Sequence, residues 1–375
     1  MEQTITAKIQ IKVKLSEHQT LHDTMKAYMN ACDFVSDYIY TSHDMKRFNI
    51  SKVLYNDIRD RYKLRSQMAQ SVIATVLAKY KSIVSDKKNW TKVRFTKPQL
   101  DLVWNRDYSL NKAKNIFSVN TLKGRIKCEY YKSKFDFKDC EFGTAKLVFK
   151  RDKFYLHIPI TYKVNELQLD NVTNVVGIDR GIRFIATAYD GNDTVFFDGK
   201  AVKRKRAHYK MLRRDLQRVG TTSSRKRLKA IGDRENRWMQ DVNHCISKAL
   251  VSANNDGTLF VIEDLSGIRP ATEKVCIKNR YVSVSWSYYD LEKKLEYKAL
   301  KNNQRVEKVD PAYTSQMCPK CGHTDKSNRN KKEHIFCCKN CHYCSNDDRV
   351  AAMNLYCMGI SYLKDNTVPG TVVLE

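Results

Sequence analysis

Val175-Val176-Gly177-Ile178-Asp179-Arg180-Gly181 decides how the rest of the chain is read. Uncharged residues run straight into an acid and then a turn signal. That is a short buried strand ending in a carboxylate. Moving outward, residues 183–189 form a second strand, Asp190-Gly191-Asn192 a tight turn and residues 194–197 a third strand. A long helical region covers about 200–253. Leu259-Phe260-Val261-Ile262 is a fourth buried strand, and it too ends in an acid, Glu263. A helix over roughly 286–302, a fifth strand over 306–309 and a last helix from about Asp348 complete the order.

Three antiparallel strands followed by strands joined through helices is the order of an RNase H-like α/β fold. The first and fourth strands are neighbours in that sheet, so Asp179 and Glu263 are expected side by side. Asp347 and Asp348 offer a third acid at the start of the last helix. Three carboxylates around one point are costly unless cations neutralise them, which implies two Mg²⁺. Such a pair activates water and stabilises the leaving oxygen of a phosphodiester. Taken singly, each acid reads as a turn or an N-cap; their joint placement carries the reading.

Upstream the pattern differs. Residues 4–13 alternate apolar and basic, a strand with one wet face. Leu21, Met25, Tyr28, Cys32, Val35 and Ile39 then mark one helix face, and Met68, Val72, Val76, Tyr80 and Ile83 another, with Ser66 as N-cap. Short strands resume over about 90–170. Among them Leu147-Val148-Phe149 and the run 154–160 flank Lys150-Arg151-Asp152-Lys153, a hairpin. A β-unit is therefore interrupted by a helical insert over about 18–88.

The chain has 375 residues, 68 Lys+Arg and 41 Asp+Glu, a net charge of +27. That surplus calls for a polyanionic partner, nucleic acid first. No apolar run reaches the ~18 residues that span a bilayer, and the start lacks the pattern of a signal peptide. Fifteen Lys/Arg against three acids lie between Lys200 and Arg237. A merely solvated helix face mixes signs, so Lys203, Arg204, Lys205, Arg206, Arg213, Arg214, Arg225, Lys226 and Arg227 are the candidate nucleic-acid contacts.

Six of twelve cysteines lie between Cys318 and Cys344. Cys318-Pro-Lys-Cys321 and Cys338-Lys-Asn-Cys341 are two knuckles whose four thiolates can close one tetrahedral zinc site. Four thiolates leave no position for water, so this zinc is structural. Cys337, His342 and Cys344 are possible competing ligands. The scattered six, Cys32, Cys128, Cys140, Cys245, Cys276 and Cys357, read as small buried hydrophobes in a reducing compartment.

Together these pieces resemble the TnpB family, transposon-encoded RNA-guided DNA endonucleases related to the type V CRISPR effectors. Gly177-Ile178-Asp179-Arg180-Gly181 resembles the family's first RuvC motif. Val261-Ile262-Glu263-Asp264-Leu265-Ser266-Gly267-Ile268-Arg269 resembles the second, and Ser345-Asn346-Asp347-Asp348-Arg349-Val350-Ala351-Ala352-Met353-Asn354 the third. Tyr313-Thr314-Ser315-Gln316 leading into Cys318 is similar to the ribbon entry. Asn243-His244-Cys245-Ile246-Ser247-Lys248 and Ser285-Trp286-Ser287 also fit. The one departure is His342, where the family usually has Gly.

The resemblance implies catalytic, magnesium-holding Asp179, Glu263 and Asp348, with Asp347 a neighbour, and zinc on Cys318, Cys321, Cys338 and Cys341. It implies a wedge β-unit over 1–17 and 90–172, a helical recognition insert over 18–89, a RuvC-like nuclease domain over 173–312 and 347–375, and a zinc ribbon over 313–346. The partners implied are a guide RNA from the element's end and double-stranded target DNA carrying a short adjacent motif. The setting implied is the cytoplasm of a bacterium or archaeon, at the nucleoid. A guided repressor that has lost cleavage should lack one of the three acids. An unguided RuvC-like nuclease has no need of the helical insert or of so much charge.

Overall fold

The computed structural model describes residues 2–131, 135, 137–265 and 288–366. They fall into two units, Met1–Lys163 and Val164–Glu375. In the first, β1 (Glu2–Lys12) buries Ala7, Ile9 and Ile11 and turns Lys8 and Lys12 to solvent. Three helices interrupt the sheet: α1 (Leu15–Ser42), α2 (Arg47–Tyr62) and α3 (Ser66–Ser85). The periodic residues from Leu21 to Ile39 all lie inside. Ser66 does not cap α3. Arg65 holds the cap position, because its carbonyl accepts from Ala69 N–H at 2.9 Å, and Ser66 is the first helical residue.

The strands return as β2 (Gln99–Leu102), β3 (Tyr108–Asn111), β4 (Ile116–Thr121), β5 (Gly124–Tyr130), β6 (Cys140–Phe142), β7 (Ala145–Lys150) and β8 (Lys153–Lys163). They form one antiparallel sheet in the order β2-β7-β8-β1-β5-β4-β3, with β6 also on β8. Its far edges are drawn together. Tyr108 Oη on β3 donates to Gly143 O at 2.7 Å, and Trp104 stacks on Phe142. The result is a nearly closed barrel. Arg151 and Asp152 take left-handed φ values of 53° and 58°, the two-residue turn that matches strand twist at the tip of β7–β8.

The second unit holds β9 (Asn174–Asp179), β10 (Phe184–Tyr189), β11 (Thr194–Asp198), α4 (Lys200–Val219), α5 (Thr222–Ser252), β12 (Thr258–Glu263), α6 (Tyr288–Lys301), β13 (Arg305–Val309), the short strands β14 (Arg329–Asn330), β15 (Ile335–Cys337) and β16 (Cys344–Asn346), and α7 (Asp347–Asn366). Residues 164–173 pack with this unit through Leu167 and Val172. Its main sheet runs β11-β10-β9-β12-β13: β9 to β11 are antiparallel, and β12 is parallel to both β9 and β13. Helices cover both faces, so β9 and β12 are near-continuous apolar runs. Val176, Ile178, Phe260 and Ile262 meet residues of α5 and α6, and Val175, Leu259 and Val261 meet α7.

The helical region expected as one piece is two. Gly220 takes φ 68° and closes α4, and Thr221 caps α5 by accepting from Ser224 N–H. That Gly-Thr pair is a stop-and-start signal visible in the sequence. Cys32 and Cys128 are buried as expected, but Cys245 and Cys357 are exposed, on the wet sides of α5 and α7. Residues 266–269 of the second motif, Cys276, Ser285-Trp286-Ser287, the first residues of the helix expected from 286, and the tail after 366 lie outside the described residues.

Candidate active site, metal centre and nucleic-acid face

Parallel pairing aligns Ile178 with Ile262, so Asp179 and Glu263 end neighbouring strands at the same level. Asp348 comes from the first turn of α7, which lies directly on β9. A Cβ on Gly177 would sit 2.1 Å from Ala352 O, and one on Gly359 would sit 2.5 Å from the Val261 side chain. These two glycines let helix and sheet approach closely enough to place the third acid. Burial pushes the Asp179 carboxyl up to about 8, and the charges of Glu263 and Asp348 push the same way. Burial also raises Asp348, with Asp347 adding to it. Asp348 Oδ2 is buried without a hydrogen-bond partner.

A carboxyl raised by burial and like charge and a buried carboxylate oxygen without a hydrogen-bond partner are oxygen donors that fit hard divalent ions. The three acids do not close to a single-ion pinch. Among the described residues, the carboxylate-bearing group whose ligand atoms all lie within 4.8 Å is His334, Asp347 and Asp348.

The roles of the surrounding residues were not foreseen. Arg180 is buried, with Nη1 on Glu292 at 3.1 Å and Nη2 donating to Glu263 O at 2.5 Å. Lys308 pairs with the same Glu292. Asp347, 1% exposed, accepts from Arg329 Nε at 2.9 Å, with His334 Nδ1 at 3.7 Å. The positive charge of Arg329 opposes the upward push on both Asp179 and Asp348. Thr314 Oγ1 donates to Glu263 Oε1 at 2.5 Å. Arg180, Thr314 and Asp347 lie in the motifs read from the sequence; Arg329, His334, Glu292 and Lys308 had no signal there.

The ribbon gathers Cys318, Cys321, Cys338 and Cys341 with all four sulfurs within 4.8 Å of one another. Cys318–Cys341 and Cys321–Cys338 are each 3.5 Å apart, close to the roughly 3.8 Å edge of a tetrahedron with 2.3 Å Zn–S bonds. The donor set fits zinc. The two knuckles share one turn: Gly322 N–H donates to Cys318 O and His342 N–H to Cys338 O, with φ of 72° and 58°. His342 thus adopts the left-handed conformation that the usual Gly takes without strain. The backbone amide of His323 and the neighbouring thiols hold Cys321 down, at about 6. Cys337 and Cys344 face each other across β15–β16 and are joined in a disulfide. That departs from the reading of Cys337 and Cys344 as possible competing ligands.

The basic helices form a hairpin. Lys203, Arg204, Lys205, Arg214, Arg225, Lys226 and Arg227 are exposed. Lys205 lies 4.3 Å over the Trp238 ring, and with Arg227, Arg234 and Tyr209 it lines a groove of about 400 Å³ between α4 and α5. Arg206 and Arg213 do not belong to this face. Arg206, one turn after buried Val202, is 5% exposed, and Arg213 pairs with buried Glu235 of α5.

Known proteins place the chain. Residues 157–267 match the family described as "Probable transposase", OrfB_IS605, and residues 288–355 match the Cas12f1-like TNB domain. The TnpB-like protein MJ0751 of Methanocaldococcus jannaschii is 29% identical over 235 residues, covering 60% of this chain and 82% of that one. The CRISPR-associated endodeoxyribonuclease Cas12f1 of Syntrophomonas palmitatica is 29% identical over 218 residues, covering 53% of this chain. The match spans 42% of that relative, less than half its length. The solved structure of a Cas12f1–sgRNA–target DNA complex shares the fold, with TM-score 0.63 at 10% identity over 95% of this chain and 98% of that one. No helix among the described residues is long and apolar enough to cross a membrane. Both family models fall on the motif-bearing half of the chain, which is similar there to TnpB-like and Cas12f1 proteins.

Proposed function

We propose that this chain is an RNA-guided DNA endonuclease. In this reading Asp179, Glu263 and Asp348 form the catalytic centre of a RuvC-like domain, and Cys318, Cys321, Cys338 and Cys341 hold a structural zinc. The barrel and its helical insert serve as wedge and recognition parts. The observation that carries the reading is the convergence of three carboxylates from β9, β12 and α7, with Asp179 pushed up to about 8. Relatives named endodeoxyribonuclease and TnpB-like protein support the same class.

The three acids would hold two Mg²⁺. Divalent cations there would lower the pKa of a water and neutralise charge on the phosphodiester. The carboxyl of Asp179 would release its proton as cations seat, because they reverse the field that raises it. Arg329, anchored by Asp347, would add positive charge beside the scissile phosphate. The exposed cations of α4 and α5 would grip nucleic-acid backbone. Sequence choice would lie with guide pairing and a short adjacent motif, so the carboxylates would read no bases.

The test is to isolate the protein with its RNA, sequence that RNA, and challenge a matching plasmid in Mg²⁺. A discrete structured RNA should copurify. Asp179→Asn, Glu263→Gln and Asp348→Asn should each abolish cutting while target binding persists, and pairs of these changes should be no worse than one. Normal cutting by all three variants would sink the assignment.

A further inference from the structure

Glu263 differs from the other two acids in being held by a side chain from the ribbon entry. Thr314 is 3% exposed, and its hydroxyl reaches Glu263 Oε1 at 2.5 Å, the length of a strong O–H···O⁻ bond. The turn carrying Thr314 is itself fixed. Tyr313, at φ 64°, accepts from Gln316 N–H and Met317 N–H. Asn354, wholly buried on α7, donates its amide to Thr314 O at 2.6 Å and Met317 O at 2.8 Å. Asn354 stands on the helix that carries Asp348, and Met317 precedes the first knuckle cysteine. One buried turn therefore joins the β12 acid, the α7 helix and the entry to the four-cysteine cluster.

We propose that Thr314 is a positioning residue for Glu263, locked by Asn354, and that through it the ribbon sets the geometry in which the carboxylates take up divalent cations. The proposal rests on the reading of Asp179, Glu263 and Asp348 as the cation seat. A free glutamate samples many rotamers. A hydroxyl on one oxygen removes most of them, as partners behind metal ligands commonly do. Loss of such a partner typically weakens metal binding about tenfold or more. Valine keeps the shape of threonine and removes the donor, and serine keeps the donor.

The experiment is a Mn²⁺ titration of the full chain, following free Mn²⁺ by electron paramagnetic resonance, with zinc content measured on the same samples. Thr314→Val should bind Mn²⁺ about tenfold more weakly while keeping its zinc, and Thr314→Ser should bind as the parent does. Parent-like binding by Thr314→Val, alongside loss in Glu263→Gln, would overturn the positioning role and leave the carboxylate reading standing. Parent-like binding by Glu263→Gln would overturn that reading and the proposal with it. Loss of both metals from Thr314→Val would make the residue part of the fold's support and would also overturn the proposal.

Discussion

Asp179→Asn should stabilise the magnesium-free protein. In the fold this carboxyl is pushed from 3.8 up to about 8, chiefly by burial and then by Glu263 and Asp348. Between those values the native state binds a proton that the unfolded chain has released, so stability falls as pH rises from about 4 to about 8 and levels off above. At pH 7 the gap to the unfolded value is roughly three pH units, each worth about 1.4 kcal/mol, so the penalty approaches about 4 kcal/mol. Asparagine cannot ionise and escapes it. For a unit of about 200 residues, 1 kcal/mol moves the melting temperature by about 2–4 °C, so the variant should melt about 8–16 °C above the parent at pH 7–8, and the gap should narrow to less than half of that at pH 5. The assay is calorimetry from pH 5 to 8 in magnesium-free buffer without chelator, which leaves the ribbon's zinc in place. Added Mg²⁺ should then raise the parent's midpoint at pH 8 far more than the variant's. Equal stability of parent and variant across this range would refute the electrostatic argument.

Three further outcomes follow from the same structure. Cys318→Ser or Cys341→Ser should lose about one equivalent of zinc and loosen the ribbon; full zinc by metal analysis in Cys341→Ser would mean a fifth ligand. Neutralising Lys203, Arg204, Arg225 and Lys226 should lower the slope of log affinity against log salt by up to about 3.6, while Arg206→Ala, a buried change, should cost stability with little effect on that slope. Asp347→Ala should destabilise by about 1–3 kcal/mol in thermal or denaturant unfolding, because it removes the buried acceptor of Arg329 Nε; unchanged unfolding would refute that support role.

Much of the second unit was legible because its signals are local. β9 and β12 are short apolar runs that stop at an acid, and pairing them in parallel requires only the order of elements. The four-cysteine cluster was legible because two-residue spacers are a direct signature of metal geometry. The roles of the supporting groups were not. Thr314, Arg329, Asp347 and Glu292 owe their places to contacts across long stretches of chain, and none follows a local period. Arg206 and Arg213 were misplaced for a related reason. A run of cations shows no face until the partner helix is known, and Gly220 creates that partner by splitting one expected helix into two. The Cys337–Cys344 pair depended on a strand register that adjacent cysteines in sequence do not announce.

The close seat of α7 on β9, made possible by Gly177 and Gly359, also sets a timetable. Asp179 and Glu263 leave the ribosome well before Asp348, and at about 5–20 residues per second the helix trails the first strand by roughly ten to thirty seconds. Until α7 arrives, one face of β9 and β12 lacks most of its cover and the bare backbone at Gly177 lacks its helix neighbour. A growing chain therefore carries two of the three acids in an open sheet, and the assembled trio appears only once the last helix docks. If the proposed nuclease reading holds, the order of synthesis alone would keep the nascent polypeptide from cutting nearby nucleic acid.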